Sequence, residues 1–170
     1  MRAPGTPGLV SVIGPWHTPG MADPSSPQTR SGRPVIVRGI EEARLVCQAA
    51  HERNVSVTLW SPPFGAAQMG PLWFQRMGGL IAEEFPDLAV DMILDCGDAP
   101  GHALAALRQG IGAIALTARP AVRLKIEALA RRGGTRVVRR PTRIFDPGAT
   151  GNDTDSLHRW LARPTRQSPA

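Results

Sequence analysis

Asp95 and Asp98 stand three residues apart where a short apolar run ends, in VDMILDCGDAPGH (90–102), with Cys96 and His102 close by. A carboxylate that closes an apolar strand is a candidate general acid or base, because burial disfavours its charge and raises its pKa. Asp95 is therefore the candidate catalytic residue. Asp98 also reads as a turn or N-cap group that accepts amide hydrogens, with Gly97 supplying an unusual backbone angle. Cys96 as a nucleophile needs a base, which His102 offers, but a small buried filler between sheet and helix suits Cys96 better. The four residues are acceptable ligand types for a divalent metal, yet they follow no recognised metal spacing, and no metal is assigned.

These groups need elements that fix them, and the chain supplies an alternation. Strands are expected at 34–39, 55–60, 89–95, 111–116 and 135–140, and helices at 40–54, 71–85, 99–110, 119–134 and 153–163. The strands are short and apolar without polar alternation, as strands covered on both faces are. The helices show apolar stripes and end signals: Asn54, Gly110 and the Gly133–Gly134 pair as stops, Pro71 as an opener, Asp153 or Thr154 as a cap. SPPFGAAQMG (61–70) reads as a loop, since two prolines bar regular helix. The order predicts an α/β fold of about five mainly parallel strands, in an open or half-barrel-like three-layer arrangement. A full barrel needs eight strand–helix units, more than this chain holds. The open sheet is preferred to a half-barrel completed by a second copy.

In either architecture ligands gather at the carboxyl ends of the strands. The groups placed there are Arg38 with Gly39, Ser61, Asp95 with Asp98, Thr117, and Arg139 with Arg140. Arg38, Ser61, Asp98, Thr117 and Arg139 are the candidate ligand-binding residues, suited to a phosphorylated or otherwise acidic small molecule. Arg38 and Arg139 are the arginines available to meet Asp95. No cofactor can be named. The alternative is a non-catalytic interaction module or homodimer, pointed to by Trp73, Phe74 and Met77, with Trp73 and Met77 one helical turn apart.

Composition narrows the field. The 170 residues suit one domain, expected over 34–163, between a Pro/Gly/Ser/Thr-rich leader at 1–33 that reads as disordered and a flexible tail at 164–170. No apolar run reaches the roughly 18 residues of a membrane span, and no secretory signal is expected from the first 34 residues. Two cysteines make no disulfide scaffold, so a cytoplasmic protein with free thiols is expected. The net charge is +6, and residues 119–143 carry eight arginines and Lys125 against Glu127 alone. Lys125 is the only lysine and tyrosine is absent, so a nucleic-acid partner with a stacking platform is poorly supported. GIGAIAL (110–116) has its glycines before a strand, the reverse of a dinucleotide-binding turn. No Walker lysine follows a glycine cluster, and there is no nucleophile elbow.

The segment VDMILDCGDAPGHALAALRQGIGAIAL resembles part of the class II fructose-bisphosphate aldolases, in which a strand ends in an acidic, histidine-bearing motif, a helix follows, and a glycine opens the next strand. The resemblance implies that Asp95 matches the family's catalytic aspartate and Gly97 the glycine just after its motif. Cys96 stands where those enzymes place a metal-ligand histidine, and Ile93 and Leu94 replace the preceding one. It therefore implies barrel-like ancestry and not aldol chemistry. Over its whole length the chain looks more like a small bacterial α/β protein.

Overall fold

The computed structural model describes residues 32–150 and 153–163. The tail and nearly all of the leader lie outside them. Gly32 and Arg33 do not: Arg33 already belongs to the first strand.

Five parallel strands alternate with helices, as the apolar runs predict. They are β1 (Arg33–Ile36), β2 (Val57–Trp60), β3 (Val90–Asp95), β4 (Ala113–Ala115) and β5 (Arg136–Val138). The helices are α1 (Ile40–Glu52), α2 (Gly65–Gln68), α3 (Pro71–Glu84), α4 (Pro100–Gln109), α5 (Pro120–Arg132) and α6 (Thr154–Ala162). Proline opens α3, α4 and α5, where its missing N–H costs no helical bond. Asp153 caps α6 by accepting from the amides of Asp155 and Ser156. Two elements escape the sequence reading. The prolines bar helix only at 62–63, so one turn, α2, forms directly after them, and a 3-10 turn forms at Pro147–Thr150. No described helix is long and apolar enough to cross a membrane.

The sheet runs β1-β2-β3-β4-β5 without reversal. Crossovers of one hand that always step the same way leave every helix on one side. Side-chain parity agrees. Val35, Val37, Val57, Leu59, Met92, Leu94 and Ile114 pack with Val46, Phe74, Met77, Ile81, Ala103 and Ile126 of the helices in one large core. The helices touch in sequence, α1 with α3, α3 with α4 and α4 with α5. Among the described residues the helices of this core pack against one face of the sheet. The strands are apolar on both faces for a different reason.

That reason is a strap made from the chain itself. Trp60, Ile93, Ala113 and Ala115 form a second buried cluster on the helix-free face, joined by Val138 and Ile144. After β5 the chain returns to the far edge of the sheet. There the Phe145 amide donates to the Pro34 carbonyl at 3.0 Å, and the Ile36 amide donates to the Phe145 carbonyl at 2.8 Å. Phe145 thus lies parallel beside Val35 as an added bridge, and its ring stacks on Trp160 of α6. Residues 139–145 therefore run from one edge of the sheet to the other, and Ile144 plugs the open face.

Two ion pairs lie across this face. Asp91 and Asp95 of β3 reach Arg136 and Arg140, at 2.6 and 2.7 Å, past the alanines of the intervening β4. Ala115 sits beside Asp95 on β3 and Val138 on β5. Ala115→Leu should drive the pair apart and cost about 1–3 kcal/mol as an overpacked site. Urea unfolding reads this directly, and an unchanged midpoint would contradict the packing described.

Candidate functional site

The carboxyl rim is organised by Asp95, the last residue of β3, which is 6% exposed. A carboxylate buried to that degree needs partners, and it has three. Oδ1 accepts from the Gly97 amide at 2.8 Å and the Phe64 amide at 3.3 Å, and Oδ2 accepts from Arg140 Nη1 at 2.7 Å. Its own amide donates to Ser61 Oγ at 2.8 Å, and Ser61 Oγ donates to the Pro62 carbonyl at 3.2 Å. Three segments therefore meet at one side chain: the loop after β2, the loop after β3 and the strap after β5.

The local backbone is shaped for this meeting. Gly97 has φ +59, and a Cβ there would run into the Phe64 ring. A Cβ on Gly65 would collide with Ser61 Oγ. Phe64 itself sits at φ +58, left-handed backbone that a bulky residue rarely adopts, and the residue is 49% exposed. The Asp95 carboxylate holds it there through the Phe64 amide. Arg140 also lies over the Trp60 ring, 6.0 Å from its centroid, so the guanidinium is fixed by an acid and an aromatic together. Only its Nη1 is engaged by Asp95, which leaves other N–H groups of the fork open to a ligand.

The remaining candidates are spread along the rim. Arg38 donates through Nη2 to Asp146 at 2.8 Å and also faces Glu42, so it is not a partner of Asp95. Its hydrogen bond holds the Asp146 carboxyl below the usual carboxylate range. Asp98, Thr117 and Arg139 are exposed and make no side-chain hydrogen bond or ion pair among the described residues. Asp98 does not cap α4; Ala99 occupies that position. His102 is exposed, whereas Cys96 is 1% exposed with its thiol pushed up to about 12 by burial, then by the charge of Asp95. The two do not form an activated nucleophile pair. Among the described residues no three His, Cys, Asp or Glu side chains group as metal ligands.

Arg140 is the partner that sequence reasoning placed at the rim but did not join to Asp95. Strand parity held the signal. Asp91, Ile93 and Asp95 share one face of β3, and Arg136, Val138 and Arg140 continue one face of β5, whereas Arg139 has the opposite parity. The left-handed Phe64 had no sequence signal, since glycine or asparagine is the usual occupant.

In comparisons with known proteins, no family model matches the chain, and no curated protein sequence is significantly similar to it.

Asp95→Asn keeps the shape but removes the charge that three donors converge on. It should cost the ligand-free protein about 1–3 kcal/mol in chemical denaturation; a loss of only a few tenths would show that the rim does not depend on this carboxylate. Cys47 is also fully buried, its thiol pushed up to about 12 chiefly by burial. Neither cysteine should react with a thiol reagent at pH 8 until the chain unfolds, and fast labelling of the native protein would contradict this burial.

Proposed function

We propose that the domain binds a small acidic molecule, carboxylated or phosphorylated, at the carboxyl ends of its strands. Arg140 contacts the anionic group with the N–H donors that Asp95 leaves free. Asp95 is its positioning residue, and the exposed Asp98 and Thr117 flank the rim. The observation that carries this reading is Phe64: a half-exposed aromatic residue on left-handed backbone, sharing the carboxylate that fixes Arg140. Such backbone costs about 1–3 kcal/mol, and strain of this kind clusters at ligand clamps. The unreversed strand order with one helix layer is also how a fragment of a barrel winds, and barrels bind at this rim. The proposal is one of binding. Asp95, already holding three donors, takes no role as a proton acceptor in it.

The test is a thermal-shift screen of the full chain against phosphorylated metabolites, dicarboxylates and divalent metals. A ligand at a hundred times its Kd stabilises by about 2.7 kcal/mol. Arg140→Gln should abolish the shift given by the best acidic hit, while Arg139→Gln keeps it. Undiminished stabilisation of Arg140→Gln sinks this reading.

A second reading, a homodimeric module, draws on α3, where Leu72, Trp73 and Leu80 are 51%, 41% and 45% exposed. Trp73 and Leu80 lie two helical turns apart on one face. Light scattering coupled to gel filtration should then give twice the 18.2 kDa chain mass, falling to one chain in Trp73→Glu. A single-chain mass at the highest soluble concentration removes the dimer.

A further inference from the structure

Arg33 begins β1, at the amino ends of the strands and therefore away from the rim. It is 9% exposed, and its Nη2 is fully buried with no hydrogen-bond partner. Its guanidinium lies 5.9 Å from the centroid of the Trp160 ring, and that of Arg163 lies 5.8 Å from the same centroid. The Trp160 Nε1 is likewise buried and unpartnered. Among the described residues neither arginine has an ion pair. Two guanidiniums thus lie against one indole ring, and two buried donors, Arg33 Nη2 and Trp160 Nε1, have no acceptor among the described residues.

This arrangement is costly without a ligand. A buried charge needs a counter-charge or hydrogen bonds, and a second like charge nearby raises the need. Burial and then the charge of Arg163 lower the Arg33 pKa, consistent with an uncompensated cation. Cation–π contact with the indole offsets part of the cost but leaves the N–H groups unused. Water would accept from those donors without neutralising either charge. An oxyanion does both, because its several oxygens accept from a guanidinium fork and an indole N–H together.

We infer that Arg33, Trp160 and Arg163 form a binding site for a carboxylate or phosphate oxyanion at the amino end of β1. The oxyanion has two sources. One is a free small anion. The other is the chain itself: among the residues outside the described range, Asp23 carries the only acidic side chain.

The test titrates inorganic phosphate into the full chain at constant ionic strength and follows the Trp160 indole N–H resonance, assigned by its loss in Trp160→Phe. With a free anion as occupant, the resonance moves and saturates. Arg163→Gln, an exposed change that leaves the core untouched, weakens the titration at least several-fold, while Arg140→Gln at the rim leaves it unchanged. With Asp23 as occupant, phosphate has no effect on the natural chain, Asp23→Asn alone moves the resonance, and Asp23→Asn then responds to phosphate. A resonance that moves in neither chain, or a titration unaltered in Arg163→Gln, overturns the site. Because Arg140→Gln leaves this cluster intact, failure of the rim reading and failure here are separately visible.

Discussion

The open face of the sheet rests on a charge that cannot be left alone. Asp95 is buried at the end of β3, and each donor that meets it comes from a different part of the chain or from its own turn. Removing any partner exposes the rest to the penalty of an under-satisfied carboxylate, which exceeds what the pair contributes in net stability. The interaction is therefore best understood as a device of uniqueness. It selects one path for the loop after β2 and one register for the strap. The second pair, Asp91 with Arg136, repeats the geometry two side-chain positions down the same strands. Between them lie Ile93 and Val138, so the apolar cluster is bracketed by charge at both ends. Small residues on β4 make both reaches possible.

Much of this was legible in the sequence as rhythm. Alternating apolar runs and helical stripes carry the fold class, since they reflect burial that any arrangement of these elements must satisfy. What covers each face was not legible, because continuous apolar strands signify only that both faces are covered and not by what. Here one cover is a helix layer and the other is the seven residues 139–145. A strap has no periodicity of its own, so nothing local marks Ile144 as a plug or Phe145 as an edge bridge. The helical turn at Gly65–Gln68 was hidden by the prolines before it, whose restriction covers 62–63 and not the rest of the 61–70 stretch.

The site was partly legible. Asp95 stands out as an acid at the end of the most apolar strand, and Ser61 joins it because β2 and β3 are neighbours. Choosing between Arg139 and Arg140 required parity carried past the end of a three-residue strand, where alternation weakens. Arg33 gave no signal at all. It lies at the junction with a segment that reads as leader, and its isolation is visible only when α6 brings Trp160 and Arg163 against it.

The return of the chain from β5 to the edge of β1 has a consequence for how the molecule is made. Val35 and Phe145 are bridged across most of the sequence, so the contact is among the most non-local in the fold. Loop-closure entropy delays such contacts, and synthesis adds to this, since residue 145 emerges after every strand. On the ribosome the nascent sheet displays Trp60 and Ile93 uncovered until the strap arrives, and partial chains of this kind are the ones most prone to associate wrongly. The charge of Asp95, still without Arg140 at that stage, then acts as a gatekeeper beside the apolar patch during translation.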